Sequence, residues 1–377
     1  MNLEESRKRI DDIDDSLIKL FEERMEIVSD IAAYKKENDM PIFHRGRERD
    51  IINRLSSEIN PEMRVYTKML YNTIFEISRS YQSKKLVKMS KTAEKIKNSL
   101  EKELKLLPQS ASVACQGTEG AYSQIAAERA FSNPSVMYFN NFRGVFEAIK
   151  QGMCSYGVLP VENSIHGSVS EVSDLMCEYG CFAVKGIRVQ INHVLLAKKN
   201  TEEIHEIFSH SQALGQCEQF LKSFKNVKIT VVENTAVAAK MVAESDRDDV
   251  ASISSELCAE LYGLRVIKSG IADSDNNYTR FVVISKEPEI YPGADKITVM
   301  LRLKHEPGSL YRLISKFSAV GVNLTKIESR PICGLDFEFR FLLDMNASVY
   351  SEDFLNLITE LENASEDFAF LGAYTEN

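Results

Sequence analysis

The chain has 377 residues, which predicts two or three domains, and its hydrophobic fraction of 44% is enough for packed cores. Its net charge of −9 and the absence of a basic patch argue against a protein that binds nucleic acid. No apolar run approaches the roughly 20 residues of a membrane-spanning helix, and the acidic first residues are not a signal peptide, so we expect a cytoplasmic protein without a membrane partner.

Seven cysteines, an odd number, are scattered along the chain. Cys177 and Cys181 are the closest pair, but no second pair of Cys or His follows at zinc-binding spacing. We therefore expect reduced thiols, as in the cytoplasm, with neither a metal nor another cofactor.

The first segment predicts one long helix over residues 3–38, uninterrupted by Pro or Gly. Ile10, Leu17 and Ile31 fall at one heptad position of an apolar seam, and Arg24 occupies the same position. Because an unpaired buried charge is costly, Arg24 must meet an anion. That anion is either a carboxylate on a neighbouring helix or a bound ligand.

Two more cations lie on this helix. Lys35 lies about 16 Å beyond Arg24 along the axis, on nearly the same side, so the two side chains can converge on one small dianion. Arg7 lies about 25 Å from Arg24 and cannot reach that anion within one chain. If Arg7 binds the same kind of ligand, it does so in the pocket of another copy, which implies a dimer.

Two further helices are predicted, from Arg45 to Glu58 and from Pro61 to about Lys85, with Ser78 and Gln82 on one face of the second. Exchange of helices in a dimer would bury the seam that a lone three-helix segment leaves open. Residues 1–85 resemble the all-helical chorismate mutase family. The matching residues are Arg7, Arg24, Lys35, Arg47, Glu48, Ser78 and Gln82.

This resemblance implies an intertwined dimer that rearranges chorismate to prephenate. The reaction is pericyclic, so the enzyme holds the compact conformer and stabilises charge on the breaking ether bond. Arg24, Arg47 and the partner's Arg7 would bind the carboxylates. Lys35 and Gln82 would bind the ether oxygen, and Glu48 would bind the ring hydroxyl. His44 is a departure, since some members carry Asp there.

Residues 86–110 are rich in Lys and Glu and predict a helical linker. From Ser112 onward strands and helices alternate, and several predicted strands end in small polar residues. Individually these residues can be helix caps, whereas as a set they suggest ligands at strand ends. The last strand of this region follows Thr279 and Arg280, which mark either a ligand-binding loop or the ordinary start of a strand with a surface arginine.

Three motifs, Pro-Val-Glu-Asn-Ser, Ser-His-Ser-Gln-Ala-Leu and Tyr-Thr-Arg-Phe, resemble prephenate dehydratase and cover residues 111–286. The resemblance implies a two-lobed α/β domain, like type 2 periplasmic binding proteins, with the site in the cleft. Thr279 would be catalytic and polarise the leaving hydroxyl of prephenate, and Arg280 would bind a carboxylate or hold the lobe edge. The other implied substrate-binding residues are Ser123, Glu162, Asn163, Gln212 and Thr235.

Residues 295–374 predict a βαββαβ order, which is ferredoxin-like. The motifs Pro307–Leu310 and Glu328–Pro331 resemble those of the ACT regulatory domain, which implies an L-phenylalanine site between paired domains. The implied effector-binding residues are Gly308, Ser309, Leu310, Glu328, Ser329 and Arg330.

Together the three resemblances imply a bifunctional enzyme of phenylalanine biosynthesis that converts chorismate to prephenate and prephenate to phenylpyruvate. L-Phenylalanine would inhibit it, and it would be a homodimer or homotetramer. Two alternatives stay open: an arogenate dehydratase on the same fold, and a non-catalytic amino-acid sensor.

Overall fold

The computed structural model describes residues 2–38, 40–86, 88–102, 106–332 and 338–376. Its helices are α1 (Leu3–Glu37), α2 (Arg45–Glu58), α3 (Arg64–Leu86), α4 (Lys91–Leu100), α5 (Tyr122–Ala130), α6 (Phe142–Lys150), α7 (Ser170–Tyr179), α8 (Ser211–Gly215), α9 (Glu218–Leu221), α10 (Thr235–Glu244), α11 (Leu257–Leu261), α12 (Ser309–Ala319) and α13 (Glu352–Ala364). A 3₁₀ turn, Pro61–Met63, precedes α3.

The strands are β1 (Ser110–Gln116), β2 (Asn133–Phe139), β3 (Tyr156–Asn163), β4 (Gly167–Ser168), β5 (Phe182–Gln190), β6 (Val194–Ala197), β7 (Glu206–Ser209), β8 (Lys228–Val231), β9 (Val250–Ser254), β10 (Arg265–Lys268), β11 (Tyr278–Ser285), β12 (Lys296–Arg302), β13 (Asn323–Pro331), β14 (Phe339–Asn346) and β15 (Asp367–Tyr374). The chain forms two compact units. The first comprises residues 1–97, 301–341 and 350–368, and the second residues 98–300, 342–349 and 369–377.

The first unit contains the predicted long helix. α1 starts with a capping box, in which the Asn2 side chain accepts from Glu5 N at 2.8 Å and Glu5 bonds back to Asn2 N at 3.1 Å. The predicted second helix is confirmed as α2, and the third begins at Arg64 after the 3₁₀ turn at Pro61. The predicted helical linker contains α4.

The apolar seam of α1 faces solvent within one chain. Val28 and Ala32 are buried, whereas Ile10, Leu17 and Ile31 are 56%, 55% and 45% exposed. The heptad positions on which the sequence interpretation rests are thus not the positions that pack inside the chain. An exposed seam of this length is the kind of surface that a partner covers.

The second unit has two lobes, as predicted. In one lobe, strands β5, β11, β3, β1 and β2 lie side by side; β1 is parallel to β2 and β3, and β11 is antiparallel to β3 and β5. In the other lobe, a five-stranded sheet runs β10-β6-β9-β7-β8. Separate clusters of buried apolar side chains fill the lobes, so each has its own core.

The C-terminal region has the predicted βαββαβ order, from β12 to β15, with strand order β13-β14-β12-β15. In the second unit, β15 lies beside β5 through the pair Gly372 and Ala183. Gly372 has φ +137°, and a Cβ there would lie 2.2 Å from the carbonyl oxygen of Ala183. Only glycine allows the two backbones to approach this closely.

Within the described ranges, no helix is both long and apolar enough to cross a membrane. The same part of the chain holds no cluster of three or more His, Cys, Asp or Glu residues that suits a metal ion. Cysteines 115, 154, 177, 181, 217 and 258 are all free thiols.

Candidate active sites

In the first unit, Arg24 is held between α1 and α3. Its Nη1 donates a hydrogen bond to the Ser78 hydroxyl, and its guanidinium carbon lies 6.0 Å from the centre of the Phe75 ring. Burial lowers the pKa of Arg24, while nearby Tyr71 and Glu48 act in the opposite direction. Arg24 is therefore a half-buried charge. Its hydrogen-bond partner, Ser78, is neutral, and no ion pair of Arg24 is seen among the described residues.

Lys35 and Glu48 lie near Arg24. Lys35 Nζ donates to the carbonyl of Ile42 at 2.5 Å, and burial lowers its pKa against the opposing effect of Glu48. The Glu48 carboxylate forms an ion pair with Arg79. Glu48 thus lies close enough to influence both Arg24 and Lys35, as expected of residues around one polar site.

Gln82 lies one turn beyond Ser78 on the same face of α3, as predicted. Its residue exposure is 7%, and its Oε1 is buried without a hydrogen-bond partner among the described residues. A buried amide oxygen without a partner costs free energy, so such a group is typical of a site shaped for a ligand.

Arg7 and Arg47 are exposed and do not close around Arg24 within one chain. His44, the residue that departs from the family pattern, caps α2, because its Nδ1 accepts from Arg47 N at 3.1 Å. Sequence reasoning did not identify this cap, although His can replace Asp as an acceptor at such a position. Among the predicted mutase residues, the structure brings Arg24 into contact with Ser78 and places Glu48 near both Arg24 and Lys35.

In the second unit, a cavity of about 510 Å³ lies where strand ends and helix starts meet. Polar side chains follow β1, β3, β7 and β8, as strand ends in open α/β sheets do at ligand sites. Five of the predicted side chains line this cavity: Ser123, Asn163, Gln212, Thr235 and Thr279.

Thr279 is the second residue of β11 and is 8% exposed. Its Oγ1 accepts a hydrogen bond from Asn163 Nδ2 at 3.0 Å. Within the described part of the chain, no acceptor bonds the proton of this hydroxyl. Because the oxygen is already an acceptor, the remaining O–H can donate to a group in the cavity.

The start of α5 forms another wall of the cavity. Ser123 is buried and donates to the carbonyl of Gln116 at 2.6 Å. Gly120 has φ +88°, and a Cβ there would lie 2.7 Å from Cys258 Sγ in the other lobe, so the turn needs glycine. No side chain caps α5, and its first N–H groups therefore stay available near the cavity.

Glu162 and Arg280 do not line the cavity. Arg280 Nη2 lies 2.7 Å from Asp344 Oδ2 and 3.1 Å from Glu162 Oε2, and Glu376 lies 3.8 Å from Nη1. Burial acts against the charge, but neighbours including Asp344 and Glu162 raise the pKa of Arg280. Of the two roles open to Arg280, these contacts favour holding the lobe edge, and the substrate-binding prediction for Glu162 and Arg280 has no support in this geometry.

Three cavity residues escaped sequence reasoning. Gln216 lies one helical turn after Gln212 of the Ser-His-Ser-Gln-Ala-Leu motif, a spacing that could have identified it. His193 follows β5 in a loop without any motif, and His166 lies in the turn after β3, beyond the end of the Pro-Val-Glu-Asn-Ser motif. All three line the cavity with the predicted residues.

The two predicted effector motifs lie on regular elements of the first unit. Gly308 adopts φ +84° before α12, and Ser309 Oγ accepts from Arg312 Nη2 at 2.9 Å. Glu328 and Arg330 lie on β13, with their charged atoms 3.9 Å apart. Residues 333–337, which follow the second motif, lie outside the described ranges.

Comparisons with known proteins match two stretches of the chain to two enzyme families. The family model for chorismate mutase type II matches residues 6–83, and that for prephenate dehydratase matches residues 113–289. The bifunctional chorismate mutase/prephenate dehydratase of Aquifex aeolicus is 31% identical over 375 residues, which cover 99% of this chain and 97% of that protein.

Two further relatives match about 70% of the chain. Arogenate dehydratase/prephenate dehydratase 2 of Arabidopsis thaliana is 36% identical over 276 residues, 70% of this chain and 72% of that protein. The crystal structure of Arthrobacter aurescens prephenate dehydratase in complex with L-Phe matches with a TM-score of 0.64 and 27% identity, covering 70% of this chain and 90% of that one. The chain belongs to the bifunctional chorismate mutase/prephenate dehydratase family.

Proposed function

We propose that the two activities of this family are performed at two separate sites of this chain. The helical segment α1–α3 rearranges chorismate to prephenate, and the cavity around Thr279 converts prephenate to phenylpyruvate. The observation that carries the second assignment is the hydrogen bond from Asn163 to Thr279, which leaves the threonine hydroxyl free to donate.

At the mutase site, Arg24 and Lys35 supply positive charge to a dianionic substrate. The rearrangement needs no proton transfer, so binding the compact conformer and stabilising the breaking ether bond are sufficient. The N–H of the buried Gln82 amide donates to that oxygen, one helical turn from the Ser78 that bonds Arg24. Glu48 is the acceptor for the ring hydroxyl, and Arg47 adds a carboxylate contact.

A second copy completes the mutase site. Arg7 is exposed and about 25 Å from Arg24 along α1. The exposed seam of α1, with Ile10, Leu17 and Ile31, supports pairing with another chain. In a homodimer built on this seam, the partner's Arg7 meets the substrate; a homotetramer would pair two such dimers.

At the dehydratase site, prephenate loses carbon dioxide and its ring hydroxyl, and the ring becomes aromatic. The Thr279 O–H donates a hydrogen bond to the ring hydroxyl, which leaves as hydroxide when the C–O bond breaks. The bond to the carboxylate breaks with it, carbon dioxide leaves, and the electron pair of that bond enters the ring. The other residues that surround the substrate are Ser123, Asn163, Gln212 and Thr235, all on the cavity wall.

The C-terminal βαββαβ region is an ACT regulatory domain that binds L-phenylalanine. The motif residues Gly308, Ser309 and Leu310 at α12, and Glu328, Ser329 and Arg330 on β13, form the effector site with a second copy. The L-Phe complex of the Arthrobacter aurescens enzyme supports this assignment. Cytoplasmic location stays a prediction.

The experiment is to incubate the purified chain with chorismate, prephenate or arogenate and to follow each product. We expect prephenate from chorismate and phenylpyruvate from prephenate. Faster turnover of arogenate than of prephenate would instead favour arogenate dehydratase, the activity for which several relatives are named. Binding without turnover of any substrate would support a non-catalytic sensor.

A further inference from the structure

The dehydratase cavity is lined by three histidines, His166, His193 and His210, while no lysine or arginine is among the described residues that line it. Prephenate carries two carboxylates. In a cavity without fixed cations, N–H and O–H donors must meet these carboxylates. Which atoms of the wall donate therefore decides how the substrate binds.

Two backbone amides fix the direction of a hydrogen-bond chain along this wall. Asn163 Oδ1 accepts from Ile165 N and His166 N, both at 3.0 Å. Asn163 Nδ2 must then be the atom that faces Asn277 Oδ1 at 2.9 Å and Thr279 Oγ1 at 3.0 Å. The backbone thus determines which end of the Asn163 amide donates, a choice that side-chain density alone rarely settles.

The direction continues through two more amides. Because Asn277 Oδ1 faces Asn163, Asn277 Nδ2 faces Gln216 Oε1 at 2.9 Å. Gln216 Oε1 also accepts a hydrogen bond from His193 Nε2 at 2.8 Å, so this ring nitrogen of His193 carries the proton. The other end of the amide, Gln216 Nε2, lies 3.3 Å from His166 Nδ1.

An amide nitrogen only donates, so His166 Nδ1 is the accepting nitrogen, and the neutral ring carries its proton on Nε2. His166 Nδ1 also lies 3.3 Å from Asn163 Oδ1. That oxygen already accepts two backbone hydrogen bonds, which occupy both of its lone pairs, so it is a poor acceptor for a third.

We propose that His166 contacts the substrate, donating its Nε2–H to a carboxylate of prephenate, and that Gln216 and Asn277 are positioning residues that hold His166 in this tautomer. This inference rests on the proposed dehydratase function. His166 and the Asn163 that bonds Thr279 belong to the same turn. The donor for the carboxylate and the donor for the leaving hydroxyl are thereby parts of one hydrogen-bonded unit.

Three substitutions of His166 separate donation from packing. His166→Gln places an amide N–H near the position of Nε2, His166→Asn keeps only a polar atom on the Nδ1 side, and His166→Ala keeps neither. The KM for prephenate should rise about 10- to 100-fold in the Ala and Asn variants, the loss expected for one hydrogen bond to a charged group. The Gln variant should recover most of this loss, with mutase turnover unchanged throughout.

The tautomer is measured without reference to activity. Imidazole ¹⁵N shifts of histidine-labelled protein, assigned with His166→Gln and His193→Gln, should show His166 protonated on Nε2. Gln216→Glu removes the one donor to His166 Nδ1 among the described residues but keeps an acceptor for His193 and Asn277. In that variant the His166 proton should move to Nδ1, and the KM for prephenate should rise.

Two results would overturn the proposal: an Nδ1-protonated His166 in the unsubstituted protein, or wild-type KM in a folded His166→Ala variant. Each leaves the dehydratase assignment intact. If the unsubstituted chain does not convert prephenate while His166 shows the expected tautomer, the proposed function fails instead, so the two failures are distinguishable.

Discussion

Arg280→Met should destabilise the second unit rather than weaken substrate binding. The Arg280 side chain is 14% exposed and lies 2.7 Å from Asp344, whose own side chain is 4% exposed. The other oxygen of Asp344 accepts from Thr298 Oγ1 at 2.7 Å. Without the guanidinium, a buried carboxylate is left with one neutral donor.

Removing one partner of a buried ion pair typically costs about 3–5 kcal/mol. Because Thr298 still donates to Asp344, we expect the lower end, about 3 kcal/mol. For a unit of this size, that lowers the unfolding temperature by roughly 6–12 °C. The reverse change is milder: Asp344→Asn leaves Arg280 with Glu162 at 3.1 Å and Glu376 at 3.8 Å, so we expect a loss of about 1 kcal/mol.

Scanning calorimetry of both single variants and of the double variant tests this asymmetry. The double variant buries no unpaired carboxylate and should recover much of the loss. Arg143→Met is the matched control, because Arg143 pairs with Glu178 while both side chains are about half exposed, at 50% and 53%. Exposed pairs contribute roughly 0–1 kcal/mol, so this variant should unfold almost as the unsubstituted protein does.

The reasoning is refuted if Arg280→Met unfolds at the unsubstituted temperature while its KM for prephenate rises tenfold or more. That result would return Arg280 to the role of a carboxylate ligand. A fall in unfolding temperature with a nearly unchanged KM supports the structural role.

Two further predictions concern a second copy of the chain. Arg7→Ala and Arg24→Ala chains, refolded together, should regain at most half of the mutase activity per dimer, because one site carries both defects and the other neither; no recovery in verified heterodimers would place each site within one chain. Gly308→Val should abolish L-phenylalanine binding in calorimetry, because φ +84° strains a branched residue at the proposed effector motif. Gly321→Val, at φ +68° outside the motif, is the control and should keep binding. An unsubstituted chain that binds no L-phenylalanine at millimolar concentration, or binds it without a change in dehydratase rate, contradicts the regulatory proposal.

Helices and strands were predictable from the sequence where a local pattern of residues determines where they begin and end. α1 begins at its capping box and runs until the chain approaches Pro41, and the periodicity of apolar residues shows both limits in the sequence. Thr279 and Asn163 line one cavity, as expected of polar residues at the ends of several strands, whereas the roles given to them rest on the family resemblance and stay predictions.

Contacts between distant residues were not predictable in the same way. Arg280 and Asp344 are 64 residues apart, and only the folded sheet brings β11 near β14. A sequence pattern reports that an arginine needs a counter-ion, but it does not identify the carboxylate that supplies one. The bond between His193 and Gln216 depends likewise on how a loop after β5 meets α8, so no local signal distinguishes His193 from a core histidine.

The direct test of two separable sites is a crossed assay of two variants. Arg24→Ala should lose chorismate turnover and still dehydrate supplied prephenate, because Arg24 and Thr279 belong to different units. Thr279→Val, which removes the hydroxyl but keeps the side-chain shape, should lose about 10²–10³ in dehydratase rate and keep full mutase activity. Equal loss of both activities in either folded variant, or full dehydration by Thr279→Val, would contradict the account.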